Sequence, residues 1–81
     1  MQKQFILYGT SACHLCEDAE TLIQAIQIKH DFILNKVDIV EDNTLMQKYA
    51  LTIPVIRCIH TGHELNWPFN EDTINSFINS Q

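Results

Sequence analysis

Two cysteines separated by two residues are the feature of this sequence with the most chemical potential. Cys13 and Cys16 enclose His14 and Leu15, and on a helix this spacing places both thiols on one face, one turn apart. Two thiols at that distance can form a reversible disulfide or bind a soft metal. A close cysteine pair in a reducing compartment is more often catalytic or metal-binding than structural.

Cys13 lies where the polar loop of residues 10–12 leads into a helical pattern. At the start of a helix, unpaired backbone N–H groups and the positive end of the helix dipole stabilise a thiolate. Cys16 comes one turn later, close enough to form a disulfide and more deeply placed. We therefore predict that Cys13 is the nucleophile of the pair and that Cys16 is the resolving thiol.

The neighbouring charges act on a Cys13 thiolate in opposite directions. His14, when protonated, would stabilise the thiolate, which makes it a candidate tuning residue. Three carboxylates follow in the same helix and oppose negative charge on Cys13: Glu17, Asp18 and Glu20.

Two other interpretations of the pair stay open at this point. One is that Cys13 and Cys16 pack as small apolar residues on the helix, as free cysteines often do. We expect such burial of Cys58, which alternates with its neighbours on a predicted strand. A zinc site needs four ligands, and the remaining candidates by residue type are Cys58, His60 and His63, without a second Cys-x-x-Cys.

The composition indicates one small folded domain over residues 1–81. The chain is 46% apolar and holds only two glycines and two prolines. Ten acidic and five basic residues give a formal charge of −5, which argues against nucleic acid or an anionic membrane as partner. No apolar run approaches the ~20 residues of a spanning helix, and residues 1–4 hold no signal-peptide core. We expect a cytoplasmic monomer.

The hydrophobic pattern predicts seven elements in the order β-α-β-α-β-β-α. They are a strand over residues 5–8, a helix over 13–28, a strand over 32–39, a short helix, strands over 55–59 and 64–67, and a last helix capped by Asn70. Asp42-Asn43-Thr44 offers cap residues for the short helix, and Pro68 ends the last strand because proline cannot donate to a sheet. The apolar stripe of the first helix is predicted to contain Leu15, Ala19, Leu22, Ile23 and Ile26. A helical connection between the first two strands requires a parallel, right-handed crossover, whereas the last two strands form an antiparallel hairpin. One mixed four-stranded sheet covered by helices accommodates all seven elements.

Cys13-x-x-Cys16 after a first strand, together with Thr52-Ile53-Pro54 before the third, resembles the thioredoxin fold in its short glutaredoxin form. The segment Trp67-Pro68-Phe69 is similar to that of small bacterial glutaredoxin-like proteins. The resemblance implies an α/β, thioredoxin-like fold with a mixed sheet flanked by helices.

The same resemblance implies a cis peptide bond between Ile53 and Pro54, next to the cysteine pair. These two residues would bind substrate, with the backbone of Ile53 free to pair with an extended segment.

The sequence departs from the glutaredoxin pattern where that family holds glutathione. Typical members carry Pro-Tyr between the cysteines, a basic residue shortly before them and a Gly-Gly pair near the last helix. Here the insert is His14-Leu15, residues 9–12 are uncharged, and residues 68–70 are Pro-Phe-Asn. These differences argue against glutathione dependence. The Trp-Cys-Gly-Pro-Cys signature of thioredoxins is also missing.

We therefore predict a thiol–disulfide oxidoreductase active in cellular redox homeostasis and electron transport. Its substrate would be a protein or small-molecule disulfide, and a thiol donor would restore the dithiol. It would need no metal or organic cofactor beyond the Cys13–Cys16 disulfide. The alternative from another class is a non-enzymatic thioredoxin-fold module that binds a soft metal or a protein partner through its thiols.

Overall fold

Four strands form one mixed sheet in a computed structural model that describes residues 2–81, and the strand order is β2-β1-β3-β4. Met1, the first residue of the predicted domain, lies outside the described residues. The elements are β1 (Lys3–Gly9), α1 (His14–Gln27), β2 (Phe32–Asp38), a 3₁₀ helix (Ile39–Glu41), α2 (Asn43–Tyr49), β3 (Val55–Cys58), β4 (Glu64–Asn66) and α3 (Glu71–Asn79). The predicted element order is confirmed, with the 3₁₀ helix as an addition.

The central strand β1 is parallel to β2 and antiparallel to β3, and β3 forms an antiparallel hairpin with β4. Gly9 pairs with Asp38 at the end of β2, and Tyr8 pairs with Val55 at the start of β3. One edge of the sheet therefore collects the carboxyl ends of β1 and β2 and the amino end of β3. We call it the C-terminal edge of β1.

The two faces of the sheet carry separate apolar clusters. The larger cluster joins the sheet to α1 and α3, and it includes Phe5, Leu7, Ala19, Ile23, Ile26, Phe32, Ile56, Cys58, Phe69, Ile74 and Ile78. The smaller cluster lies under α2 and consists of Tyr8, Ile39, Tyr49 and Val55 with partly buried neighbours. Alternation along β1 explains this division, because successive side chains of a strand point to opposite faces.

The prediction that Leu15 belongs to the buried stripe of α1 is wrong. Leu15 is 45% exposed, and Cys16 lies in the buried face with Ala19 and Ile23. Neighbouring helix positions are about 100° apart, so only one of Leu15 and Cys16 can face the sheet. Cys16 is therefore part of the packed face of its helix.

The ends of the elements follow local hydrogen bonding. Asp42 caps α2 by accepting the backbone N–H of Thr44 at 2.8 Å, and Asn70 caps α3 through a reciprocal capping box with Thr73. β3 ends at Cys58 instead of residue 59, and β4 ends at Asn66 instead of residue 67. Both predicted helix caps are thus confirmed, and the predicted hairpin strands were each one residue too long.

No helix within residues 2–81 has the length and apolar run needed to cross a bilayer.

Candidate active site

Cys13 is the N-cap residue of α1, with an extended backbone at φ −113° and ψ 110°. Its Sγ accepts a hydrogen bond from the backbone N–H of Cys16 at 3.1 Å. A sulfur in this position takes the place of a conventional capping oxygen and satisfies one of the unpaired N–H groups of the first turn. The geometry therefore favours negative charge on Cys13.

Cys13 and Cys16 are joined as a disulfide, with their Cα atoms 5.2 Å apart. The two sulfurs differ in accessibility. Cys13 is half-buried, whereas only 7% of the surface of Cys16 is exposed. An incoming group therefore meets Cys13 first.

Gly9 is a site residue that the sequence reasoning missed. A β-carbon added to Gly9 would lie 3.0 Å from the Sγ of Cys16 and 3.2 Å from its Cβ. Contacts this short are tighter than nine in ten real Cβ contacts, so Cys16 would have to move by a few tenths of an ångström to admit a side chain at this position. The one signal in the sequence was a glycine at the end of the strand that precedes the loop of residues 10–12, which we call the cysteine loop.

The groups proposed to tune Cys13 lie mostly in solvent. The His14 side chain is 97% exposed, and its Nδ1 lies 3.5 Å from a carboxylate oxygen of Glu17. Glu20 points toward the sheet, where it accepts a hydrogen bond from the ammonium of Lys36 at 2.9 Å. Of the carboxylates after the pair, one is therefore neutralised locally by a cation.

The Ile53–Pro54 peptide bond is cis, as the family resemblance implies. Pro54 is fully buried, and its carbonyl oxygen accepts the backbone N–H of Trp67 at 3.2 Å. Because Tyr8 pairs with Val55, the segment before β3 reaches the same C-terminal edge of β1 as the cysteine loop.

One expectation for Ile53 needs correction. Its backbone N–H is not free to pair with a substrate, because it donates to the carbonyl oxygen of Tyr49 at 3.1 Å. Within residues 2–81 the carbonyl oxygen of Ile53 accepts no hydrogen bond. The end of α2 thus occupies the donor and leaves the acceptor available.

A second cis peptide bond joins Trp67 to Pro68; the sequence predicted only that this proline ends the strand. The Trp67 ring packs edge-on against Phe69, with ring centroids 5.0 Å apart. Phe69 is buried, and Trp67 packs against the larger core cluster. Both aromatic residues therefore serve packing.

A polar network lies behind the Ile53–Pro54 segment, on the face of the sheet covered by α2. The rings of Tyr8 and Tyr49 stack with centroids 4.3 Å apart. The hydroxyl of Tyr49 donates to the carboxylate of Glu64, and Arg57 donates to the same oxygen at 3.2 Å.

Burial raises the pKa of Tyr49, and its hydrogen bond to Glu64 raises it further. Burial and the neighbouring Tyr49 likewise raise the pKa of Tyr8. Both phenols are therefore held in their neutral form. Sequence reasoning missed this network because its members come from four separate elements.

Cys58 is buried in the larger core cluster, as predicted. It pairs with Phe5, three register steps from the Tyr8–Val55 pair at the C-terminal edge of β1. Burial opposes ionisation of this thiol, but hydrogen bonds from the side chain and backbone of Thr61 and from the backbone of His60 lower its pKa. Its position in the register separates Cys58 from the Cys13–Cys16 pair.

Within the part of the chain that the structure describes, no three His, Cys, Asp or Glu side chains converge on a point that could hold a metal. Cys58 faces the core, whereas the other two candidate ligands, His60 and His63, are exposed in the hairpin loop. The zinc interpretation therefore has no ligand set among residues 2–81.

A cleft of about 310 Å³ opens beside Cys16. Its walls come from the end of β1, the cysteine loop, the first turns of α1 and the end of β2. The lining residues are Leu7, Gly9, Thr10, Ser11, Cys16, Glu17, Glu20, Lys36, Val37 and Asp38.

A mixed four-stranded sheet flanked by helices, with a Cys-x-x-Cys pair opening α1 and a cis-proline before β3, defines a thioredoxin-like protein. Residues 4–79 match the family model described as "Glutaredoxin-like domain (DUF836)", and the chain belongs to this family. That membership and a cysteine pair at disulfide distance are consistent with thiol redox chemistry. The assignment to a Trp-Pro-Phe subgroup stays a prediction.

Solved structures share the fold over nearly the whole chain. The crystal structure of protein XcR50 from X. campestris is 32% identical, with a TM-score of 0.78, over 95% of this chain and 97% of that one. Protein Ne2328 from Nitrosomonas europaea is 26% identical, with a TM-score of 0.81, over 95% and 92% of the two chains.

A mutant thioredoxin from Halobacterium salinarum is 19% identical, with a TM-score of 0.77, over 98% of this chain and 74% of that one. At that identity the likeness extends to the fold alone. A comparison with curated protein sequences finds no match.

Proposed function

We propose that the protein is a thiol–disulfide oxidoreductase in which Cys13 is the nucleophile and Cys16 is the resolving thiol. The observation that carries this proposal is the asymmetry of the pair. Cys13 is half-buried at the N-cap of α1 and accepts the N–H of Cys16, whereas Cys16 is packed against the sheet. The accessible sulfur is thus the one that the helix terminus favours as a thiolate.

The reaction begins from the dithiol, with Cys13 as thiolate and Cys16 as thiol. The Cys13 thiolate attacks one sulfur of a substrate disulfide, forms a mixed disulfide and expels the other substrate half as a thiolate. Cys16 then loses its proton to that thiolate or to solvent and attacks the sulfur of Cys13. The products are the Cys13–Cys16 disulfide and two reduced substrate thiols, so two electrons pass from the protein to the substrate.

Substrate would be positioned by the segment before β3. The Ile53 carbonyl oxygen is an available acceptor at the C-terminal edge of β1, and a backbone N–H next to a substrate cysteine can donate to it. Because the Ile53 N–H is already bonded to Tyr49, this contact supplies one hydrogen bond and not a two-bond strand pairing. Pro54 supplies an apolar surface without a competing donor.

The cycle would close when a donor thiol reduces the Cys13–Cys16 disulfide. No organic cofactor or metal enters this cycle, since the disulfide itself carries the electrons. The uncharged loop before Cys13 and the Pro-Phe-Asn segment of residues 68–70 lack the groups with which glutaredoxins hold glutathione. We infer a different thiol donor, acting in the cytoplasm as part of cellular redox homeostasis.

Trapping of mixed disulfides tests this function. In a Cys16→Ser variant the mixed disulfide at Cys13 cannot be resolved, so substrates from an extract should remain covalently attached until a reductant is added. Cys13→Ser is the matched control, because it removes one thiol of the same pair and should trap nothing. Wild-type protein should also reduce a model disulfide such as hydroxyethyl disulfide when a dithiol is supplied.

Two results would count against the proposal. One is the absence of both trapped species and disulfide reduction. The other is stoichiometric zinc or copper that co-purifies under reducing conditions and is lost in Cys13→Ala, which would favour a metal-binding module.

A further inference from the structure

The cleft beside Cys16 has apolar, polar and charged residues in its walls. Leu7 and Val37 contribute apolar side chains, Thr10 and Ser11 border it from the cysteine loop, and the sulfur of Cys16 belongs to its wall. Its volume of about 310 Å³ lies at the lower end of the range for small-ligand sites. One long side chain or a comparably small molecule would occupy it.

The charges of this cleft are unequal. Among the described residues, three acidic side chains and one basic side chain line it. The acidic ones are Glu17, Glu20 and Asp38, and the basic one is Lys36. Lys36 is bound to Glu20 at 2.9 Å, so this pair is locally neutral. Glu17 and Asp38 are left as the uncompensated charges facing the space.

Among residues 2–81, no lysine or arginine side chain pairs with either of these two carboxylates. Asp38 accepts the backbone N–H of Val40 at 3.0 Å, which is a neutral donor. Glu17 has the exposed ring of His14 as a neighbour at 3.5 Å, on the solvent side of α1. A cation entering the cleft would therefore find two negative charges and an apolar floor for its stem.

We propose that this cleft selects the disulfide substrate by charge, and that Glu17 and Asp38 are its specificity-determining residues. The occupant is a lysine or arginine side chain of a polypeptide, next to the cysteine whose disulfide is reduced. This inference rests on the proposed function and adds the substrate class to it.

The location of the cleft makes this selection possible. Cys16 lines the cleft and its Cα is 5.2 Å from that of Cys13. A substrate sulfur bound to Cys13 therefore brings the adjacent substrate residues to the mouth of the cleft. An acidic residue at the same substrate position would be repelled by Glu17 and Asp38.

Two peptide disulfides test the proposal. They are identical except that a lysine in one replaces a glutamate in the other, next to the cysteine. The readout is the ratio of their second-order rates of reduction by the fully reduced protein. We expect the lysine peptide to react faster, and we expect 0.5 M salt to compress the ratio, because exposed charges are screened at that ionic strength.

The variants change the cleft without changing its shape. Glu17→Gln and Asp38→Asn should each lower the rate ratio by about threefold, a factor that corresponds to the free energy of one exposed ion pair. Lys36→Gln should raise it, since Glu20 then becomes uncompensated. Glu71→Gln is the matched control: it removes the same charge from the first turn of α3, outside the cleft, and should leave the ratio unchanged.

The outcomes separate this inference from the proposed function. If wild-type protein reduces neither peptide, the proposed function fails. If both peptides are reduced but Glu17→Gln and Asp38→Asn alter the ratio no more than Glu71→Gln does, only the charge selection is overturned. Cystamine, a small disulfide with two ammonium groups, distinguishes the source of the cation. A charge effect seen with cystamine and not with the peptides would overturn the assignment to a polypeptide side chain.

Discussion

Gly9 and Cys16 are in such close contact that a β-carbon on the glycine would lie 3.0 Å from the sulfur of the cysteine. Among the described glycines only Gly62 has a positive φ, so the backbone of Gly9 is open to any L-residue. The requirement for glycine at this position is therefore steric. It comes from the packing of Cys16 against the end of β1.

Gly9→Ala should destabilise the protein by about 1–3 kcal/mol, the ordinary cost of overpacking. The free energy of unfolding from urea titration measures this cost. In a Cys16→Ala background the same substitution should cost less, because the sulfur that the new methyl group meets is gone. An equal cost in both backgrounds would show that the contact with Cys16 is not its cause.

The difference in exposure between the two cysteines predicts a difference in their reactivity. In the reduced protein, iodoacetamide should modify Cys13 first. The pH midpoint of that reaction should lie below about 8.5, the ordinary value for a thiol. Mass spectrometry of partly modified protein identifies the labelled residue.

Single-cysteine variants sharpen this experiment. Cys16→Ser/Cys58→Ser retains only Cys13, and Cys13→Ser/Cys58→Ser retains only Cys16. We expect the first to react at least about tenfold faster at pH 7, since a shift of one pH unit in the midpoint changes the thiolate fraction about tenfold. Equal rates in the two variants would remove the basis for assigning the nucleophile to Cys13.

The sequence was sufficient to predict the fold and the cysteine pair because both depend on local spacing. The crossover length determines that β1 and β2 are parallel, and the Cys-x-x-Cys spacing places both thiols within one helical turn. The cap residues Asp42 and Asn70 were equally predictable from the sequence, since a cap residue bonds only to backbone groups two or three residues further along the chain.

The details that sequence reasoning missed depend on contacts between distant elements. Leu15 and Cys16 both fit a three- and four-residue apolar spacing with Ala19, and only the orientation of α1 on the sheet determines which is buried. The contact between Gly9 and Cys16 arises from the same packing. The hydrogen bond from the Ile53 N–H to the Tyr49 carbonyl oxygen joins a loop to the end of a helix, and no sequence pattern predicts it.

The buried third cysteine should be chemically silent in the native protein. Cys58 lies in the core, away from the redox pair. Cys58→Ala should therefore retain disulfide exchange while lowering the free energy of unfolding by about 1 kcal/mol.

Thiol counting checks this prediction in a Cys13→Ser/Cys16→Ser protein. A thiol reagent should react with Cys58 slowly under native conditions and at once in denaturant. Loss of exchange activity in Cys58→Ala, with the fold intact by circular dichroism, would instead place Cys58 in the redox cycle.

Because of the Tyr49 hydroxyl, we expect the free energy of unfolding to depend on pH in the alkaline range. Burial and the bond to Glu64 raise the pKa of this phenol in the folded protein, so the folded state retains the proton longer than the unfolded chain does. Above about pH 10, where an unfolded-state tyrosine ionises, the free energy of unfolding should therefore fall as pH rises, until the folded phenol ionises as well. Lys48, whose Nζ lies 5.1 Å from the centre of the Tyr49 ring, and Arg57 are the cations facing this phenol.

Tyr49→Phe should remove part of that alkaline slope and cost about 1 kcal/mol at neutral pH, the ordinary net value of a hydrogen bond. Urea titrations between pH 8 and pH 11 on both proteins give the two curves, and their difference isolates the phenol from the lysines that titrate in the same range. Tyr8→Phe should reduce the slope in the same direction, because the pKa of Tyr8 is raised as well. Glu64 keeps its bond to Arg57 in the Tyr49→Phe variant. The loss at neutral pH should shrink when Glu64→Gln is already present, because the Tyr49 hydroxyl then no longer has a carboxylate as its acceptor. A slope identical in wild type and Tyr49→Phe would mean that the folded protein does not hold this proton more tightly than the unfolded chain does.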